Sequence, residues 1–229
     1  RRSGVSDPKQ PVRVSEFFDQ KAKMWDQAGQ RQARSRVIAE AMRAMLPPLR
    51  GRRALEYGAG TGLLSMELLD ELGERGSLVA IDISEGMLEA FRQKTVGRAS
   101  VKIVAHDLSR EDLDEAPFDL IFSAMTLHHV QGVEELLGRF RRLLLPGGHL
   151  AIADLEKEDG SFHEDPHSYF HAGFEPAQLA RALERAGFRD VRHARVFTMS
   201  KSVRGVAKEF PLFLIVARAP TAPGAPTAD

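Results

Sequence analysis

The sequence contains no cysteine among its 229 residues. That excludes disulfide bonds, thiolate metal sites and covalent thiol catalysis, and it makes a reducing compartment, the cytoplasm, the expected setting. Neither sign of charge is in excess, since 32 Lys and Arg balance 32 Asp and Glu. A polyanionic partner therefore meets no global field, and no basic run interleaved with aromatics marks a nucleic-acid surface. Nucleic acid is not an expected partner. Long apolar runs are missing as well. Phe210 to Ala217, the longest near the end, falls far short of the roughly 20 residues a spanning helix needs, so no membrane span is expected. There is no signal-peptide pattern, and the start at Arg1 rather than Met leaves targeting open. No internal repeat is present.

What remains suits one α/β domain with a short appendage, too small for two typical domains. The chain is organised around residues 52–62, R-R-A-L-E-Y-G-A-G-T-G. A short apolar run through Ala54, Leu55 and Tyr57 passes an acid, Glu56, and enters a loop carrying Gly58, Gly60 and Gly62. Leu63 to Leu72 then reads as an amphipathic helix. Strand, glycine turn and helix in that order make the opening unit of a nucleotide-type fold. A dinucleotide fingerprint spaces its glycines G-x-G-x-x-G. Here the third glycine comes one residue early, and Leu63 stands in the reserved place. A nicotinamide-dependent oxidoreductase is therefore disfavoured. Glu56 suits a cationic or hydrogen-bond-donating group better than a phosphate. Asp82 ends the next apolar run, Ser77 to Ile81, where an acid can accept both hydroxyls of a ribose.

This stretch resembles motif I of the class I S-adenosylmethionine-dependent methyltransferases, an acid, any residue, then G-x-G-x-G, and Glu56 to Gly62 matches it without a gap. Asp82, Asp107 and a Pro-Gly-Gly turn follow in the family's order. The resemblance covers about residues 50–218. It implies a Rossmann-like sheet of seven mostly parallel strands, the last antiparallel, with helices on both faces. It also implies S-adenosylmethionine as cofactor and S-adenosylhomocysteine as product. The cofactor side implied is Glu56, Tyr57, Gly58, Gly60, Gly62, Asp82, Ile83, Met87, Asp107, Leu108 and Ser123. In such proteins an acid like Asp107 accepts the adenine amino group, the next backbone amide reaches a ring nitrogen, and an apolar side chain like Met87 touches the adenine.

The expected organisation is a helical appendage at 1–50, a cofactor-binding domain at 51–218 and a disordered Pro/Ala/Thr-rich tail at 219–229. Residues 1–12 read as a lead-in, and Ser15 as cap of a helix carrying Phe17, Phe18 and Trp25. The resemblance makes that helix a lid. A second helix runs from Arg31 to Leu46, ended by Pro47-Pro48. Ser84 caps a helix through Met87 and Phe91, and strands follow at 101–105 and 118–123. Val133 to Leu145 is read as a helix, 149–155 as a strand, and 190–199 and 211–218 as the final strands, with Pro211 at a strand start. Residues 156–174 break every periodicity and hold three of the eight histidines beside Phe162, Tyr169, Phe170 and Phe174. An insert of that length is usually functional.

A sulfonium makes its methyl electrophilic, so the protein mainly aligns a nucleophile and excludes water. A hydroxyl or acidic carbon also needs a base. The candidates are His128 and His129 after the fourth strand, Asp154 after the fifth, and His163, His167 or His171 in the insert. On an extended segment successive side chains alternate, so one of His128 and His129 is expected to be only structural. His163, His167 and His171 would align metal ligands on a continuous helix, but Pro166 starts any helix after His163. The carboxylate-and-amide cluster that catechol methyltransferases use for magnesium has no counterpart. No metal is expected. A small-molecule acceptor follows from the lack of charge bias and the aromatic, histidine-rich insert. A cofactor-binding scaffold without catalysis would keep the same motif I acids and is the alternative.

Overall fold

The computed structural model describes residues 10–27 and 29–221. Two helices, α1 (Gln10–Trp25) and α2 (Gly29–Met45), precede the sheet. Then come β1 (Arg53–Tyr57), α3 (Leu63–Leu72), β2 (Ser77–Asp82), α4 (Glu85–Lys94), β3 (Val101–Ala105) and β4 (Phe118–Ala124). A 3-10 turn at Leu127–His129 leads to α5 (Val133–Leu143), β5 (Leu144–Leu155), α6 (Pro176–Arg185), β6 (Arg189–Val203) and β7 (Val206–Arg218). Strand order is β3-β2-β1-β4-β5-β7-β6, with β1 to β5 parallel and β7 antiparallel to both neighbours. This is the expected seven-stranded Rossmann-like sheet. None of the described helices is long and apolar enough to cross a membrane.

The alternation of the central strands builds two cores. Ala54, Leu78, Ala80, Leu120 and Phe122 face α2 and α3, while Leu55, Val79, Ile81 and Ile121 face α5 and α6. Strands buried on both faces read as continuous apolar runs, which is why they were legible. Chain order reverses between β1 and β4, and such a switch point opens a crevice at the carboxyl ends of the strands.

Several boundaries depart from the sequence reading. Ser15 lies inside α1, which already includes Gln10 to Val12; residues 1–9 of the proposed lead-in lie outside the described residues. The helix expected to reach Leu145 stops at Leu143, because Leu144 pairs with Phe118 and the strand then bulges through Pro146-Gly147-Gly148 before His149 meets Leu120. The last two strands are longer than expected and join at Arg204-Gly205, both with positive φ (51° and 83°), as a tight hairpin turn requires. Pro211 is inside β7, not at its start. Its carbonyl accepts the Glu156 N–H at 2.9 Å, just past the end of β5, so its missing N–H faces the side where no strand continues. Ala219, expected in the loose tail, is buried and donates its N–H to Gly148 O at 2.8 Å; residues 222–229 lie outside the described residues.

Candidate active site

The crevice at the β1/β4 switch is a cavity of about 660 Å³, within the size range of small-molecule and cofactor sites. One end is built by β1, the glycine loop and the ends of β2 and β3. Glu56, Tyr57, Gly58, Gly60, Asp82, Ile83, Met87 and Asp107 all line it. Gly62 does not line it but shapes the loop: at φ 77° a Cβ would run into the Phe91 ring. Gly60, also at positive φ, would meet nothing within 4 Å, so the backbone there is open to a ligand. Leu108 and Ser123, expected on the cofactor side, lie outside the lining. The Leu108 side chain is core, and Ser123 Oγ donates to Tyr57 O at 2.8 Å, tying β4 to β1.

The acids are held but not exhausted. Asp82 accepts the Gly60 N–H through Oδ2 at 2.8 Å and the Ser84 N–H through Oδ1 at 2.9 Å. A carboxylate offers about four lone-pair sites, so both oxygens can still accept, as two ribose hydroxyls require. Burial raises its pKa, and those N–H groups oppose the rise. Glu56 is buried, receives the Ser65 hydroxyl, and is pushed up to about 8, chiefly by desolvation. An incoming cation would reverse that cost. Asp107 accepts from Ser109 N at 3.1 Å and Ser109 Oγ at 2.5 Å, and Arg110 Nε stands 3.4 Å from its other oxygen.

The roof comes from α1, where Val14, Phe18 and Trp25 line the cavity. Two acids fasten that helix across the glycine loop and α4. Asp19 accepts from Ser84 Oγ at 2.6 Å and Gly86 N at 2.9 Å, and Asp26 accepts from Thr61 Oγ1 at 2.6 Å and pairs with Lys94 at 2.5 Å.

Histidines close the other end. Met125 leaves β4 with φ 58°, a strained value for a non-glycine residue, and the 3-10 turn follows. The turn packs the two histidine rings together, with centroids 4.1 Å apart. His163 joins them from the insert, its centroid 5.0 Å from His128 and 5.3 Å from His129. The insert is pinned to the turn, because Phe170 N and His171 N both donate to His128 O at 2.9 and 3.1 Å. His171 Nε2 lies 2.9 Å from Val130 O, so it supports the turn, and His167 is exposed. Of the three clustered rings only His129 lines the cavity; His128 and His163 back it. Burial and the neighbouring rings of His128 and His163 hold His129 well below the usual imidazole range, and His163 is lowered to about 3, mainly by desolvation.

Sequence reasoning missed Arg34 and Met125. Arg34 projects from α2 into the cavity, reaches Met199 Sδ at 3.5 Å and is lowered to about 10 by burial, with Asp154 opposing. Nothing local distinguishes it from the other arginines of α2, except that Ile38, one turn on, is core. Met125 could have been suspected only from the tertiary kink.

Residues 55–150 match the family model of the methyltransferase domain. Among curated proteins, an uncharacterized methyltransferase of Schizosaccharomyces pombe is 28% identical over 153 residues, covering 59% of this chain and 53% of that protein. The demethylmenaquinone methyltransferase of Clavibacter sepedonicus is 31% identical over 160 residues, covering 64% and 59%. The chain thus spans about half the length of the curated relatives it matches. Among solved structures, Haemonchus contortus phosphoethanolamine N-methyltransferase 2 in complex with S-adenosyl-L-methionine superposes with a TM-score of 0.66 at 17% identity, over 80% of this chain and 52% of that one. At that identity the likeness is one of fold.

Proposed function

We propose that this chain, which belongs to the class I S-adenosylmethionine-dependent methyltransferases, transfers a methyl group to a small-molecule nucleophile held at the histidine end of its cavity. The observation that carries the reading is one continuous pocket with the motif I acids along one part of its lining and the buried imidazole of His129 on another. The cofactor supplies an electrophilic methyl on a sulfonium. Asp82 has acceptor capacity left for a ribose, Glu56 meets the cationic amino group, and the open backbone at Gly60 admits the ligand closely. Residues 1–50 act as appendage and roof and 51–218 as the catalytic domain. Phe18, Trp25 and Phe170 exclude water from the acceptor end. His129, neutral and on the lining, lowers the cost of ionising the acceptor, and Arg34 favours an acceptor bearing negative charge.

Calorimetric titration with S-adenosylhomocysteine should show one site, and absence of binding would overturn the reading. His129→Ala should keep that binding and lose about 10²- to 10⁴-fold in turnover with a small-molecule acceptor, the usual worth of positioned acid–base help. Equal turnover in the variant and wild type would leave only cofactor binding to explain the pocket.

A further inference from the structure

We propose that His128, His129 and His163 form a three-imidazole site for a divalent transition-metal cation of the zinc type. A ligand nitrogen of each lies within 4.8 Å of the others. Tetrahedral coordination at about 2.0–2.1 Å sets nitrogens roughly 3.4 Å apart, so binding must draw the three rings closer.

The argument begins with tautomers. Asp154 is buried and accepts three times: from His128 Nδ1 at 2.6 Å, from the His128 backbone N–H at 3.2 Å and from the Leu155 N–H at 2.7 Å. A carboxylate so placed fixes the His128 proton on Nδ1 and leaves the Nε2 lone pair free. His129 Nδ1 sits 2.5 Å from the Ser168 carbonyl. A carbonyl only accepts, so that nitrogen also carries the proton and Nε2 is again a bare acceptor. Two acceptors side by side cannot hydrogen-bond to each other. His163 Nε2 is buried beside them with no partner. Even as a donor it could satisfy only one of the two. The buried, unpartnered His163 nitrogen is the costly one, and a cation would satisfy it together with the two free acceptors.

The surroundings agree with a metal. An imidazole that donates its other nitrogen to a carboxylate or carbonyl is the usual support of a metal ligand, and two of the three rings have that support. Tyr169 stacks on His163 at 4.7 Å, Phe162 meets its edge at 4.8 Å, and Phe18 meets His129 at 5.2 Å, giving an apolar shell. Three histidines with an open fourth position is the arrangement of reactive zinc sites, and an all-nitrogen set without thiolate is what a chain lacking cysteine can offer. Lys21 and Lys201 add positive field at His163, and Arg34 lies in the field of Asp154. Arg34 on the cavity lining favours an anion in the open fourth position. This rests on the proposed reading and deepens it: His129 then favours ionisation of the acceptor through the cation it holds, and the acceptor is an ionisable oxygen or sulfur that binds that cation as an anion.

The metal is tested without turnover. Chelator-treated full-length chain is titrated with Co²⁺ and, by competition with a chromophoric chelator, with Zn²⁺. One equivalent should bind, with the intense visible bands of tetrahedral cobalt and a Zn²⁺-dependent rise in Tm. His163→Ala, a loop change, should lose at least tenfold in Zn²⁺ affinity with an unchanged circular dichroism spectrum. Asp154→Asn should lose about 10- to 100-fold. Failure of the wild type to bind one equivalent, or unchanged affinity in folded His163→Ala, overturns the site. S-adenosylhomocysteine binding on the same samples separates the two readings: retained cofactor binding without metal sinks the metal alone, and metal without cofactor binding sinks the methyltransferase reading.

Discussion

Glu56 is 2% exposed, at the point where β1 turns into the glycine loop, and under the proposed function its protonation links folding to cofactor binding. Its pKa is about 8 in the folded chain against an ordinary value of 4.5. The folded state therefore holds a proton through that window while the unfolded state has released it. By linkage, this contribution to stability is present below pH 4.5 and is lost as pH rises through 8. Glu56→Gln should remove that slope, so the Tm difference between variant and wild type grows from pH 5 to pH 8. A cationic amino group beside the carboxylate would restore its charge. Cofactor binding near pH 7 should then release a proton, seen as a calorimetric enthalpy that varies with the buffer's ionisation heat. No variation in wild type would place the amino group elsewhere. The acid was legible in the sequence because it precedes the first glycine. Its protonation state was not, because that depends first on burial, which only the tertiary packing sets, with the Ser65 hydroxyl from the next helix opposing the rise.

At the scale of elements, α1 is the piece whose role depends on fastening. A partly exposed ion pair such as Asp26–Lys94 is worth little alone, about 0–1 kcal/mol. Asp19 does more, since it accepts from both Ser84 and Gly86 at the start of α4. The Asp19→Ala/Asp26→Ala double variant should bind S-adenosylhomocysteine roughly tenfold more weakly, with Tm nearly unchanged, because the cores under the sheet do not involve these side chains. Unchanged affinity would reduce α1 to packing. The periodicity of α1 was readable and its start was not, since Ser15 looks like a cap in any local window. The packing of the histidine pair was not readable locally. Alternation holds on a strand, but β4 ends at Ala124, and the 3-10 turn that follows brings the two rings to centroids 4.1 Å apart.

Over the whole molecule the cavity divides along the sequence. Under the proposed reading residues 56–107 hold the cofactor, and Met125, His129 and Phe170 with Arg34 face the acceptor. The order of strands and acids was legible because each parallel strand carries its own apolar run and ends at one edge of the sheet. The meeting of His163 with the turn at 127–129 was not, since it depends on backbone bonds from Phe170 and His171 to His128 O that no local pattern encodes. The division has a measurable consequence. Phe170 lines the acceptor end and its anchoring bond is made by backbone, so Phe170→Ala keeps the anchor and removes only the ring. Its S-adenosylhomocysteine affinity should stay within about twofold of wild type, while kcat/KM for the acceptor falls by an order of magnitude or more as water enters. Asp82→Ala should do the reverse, weakening cofactor binding first. Because the two changes share no partner, the double variant's losses should add in free energy to within about 0.5 kcal/mol. A Phe170→Ala variant that loses cofactor affinity as strongly as Asp82→Ala would mean that the two ends act as one site.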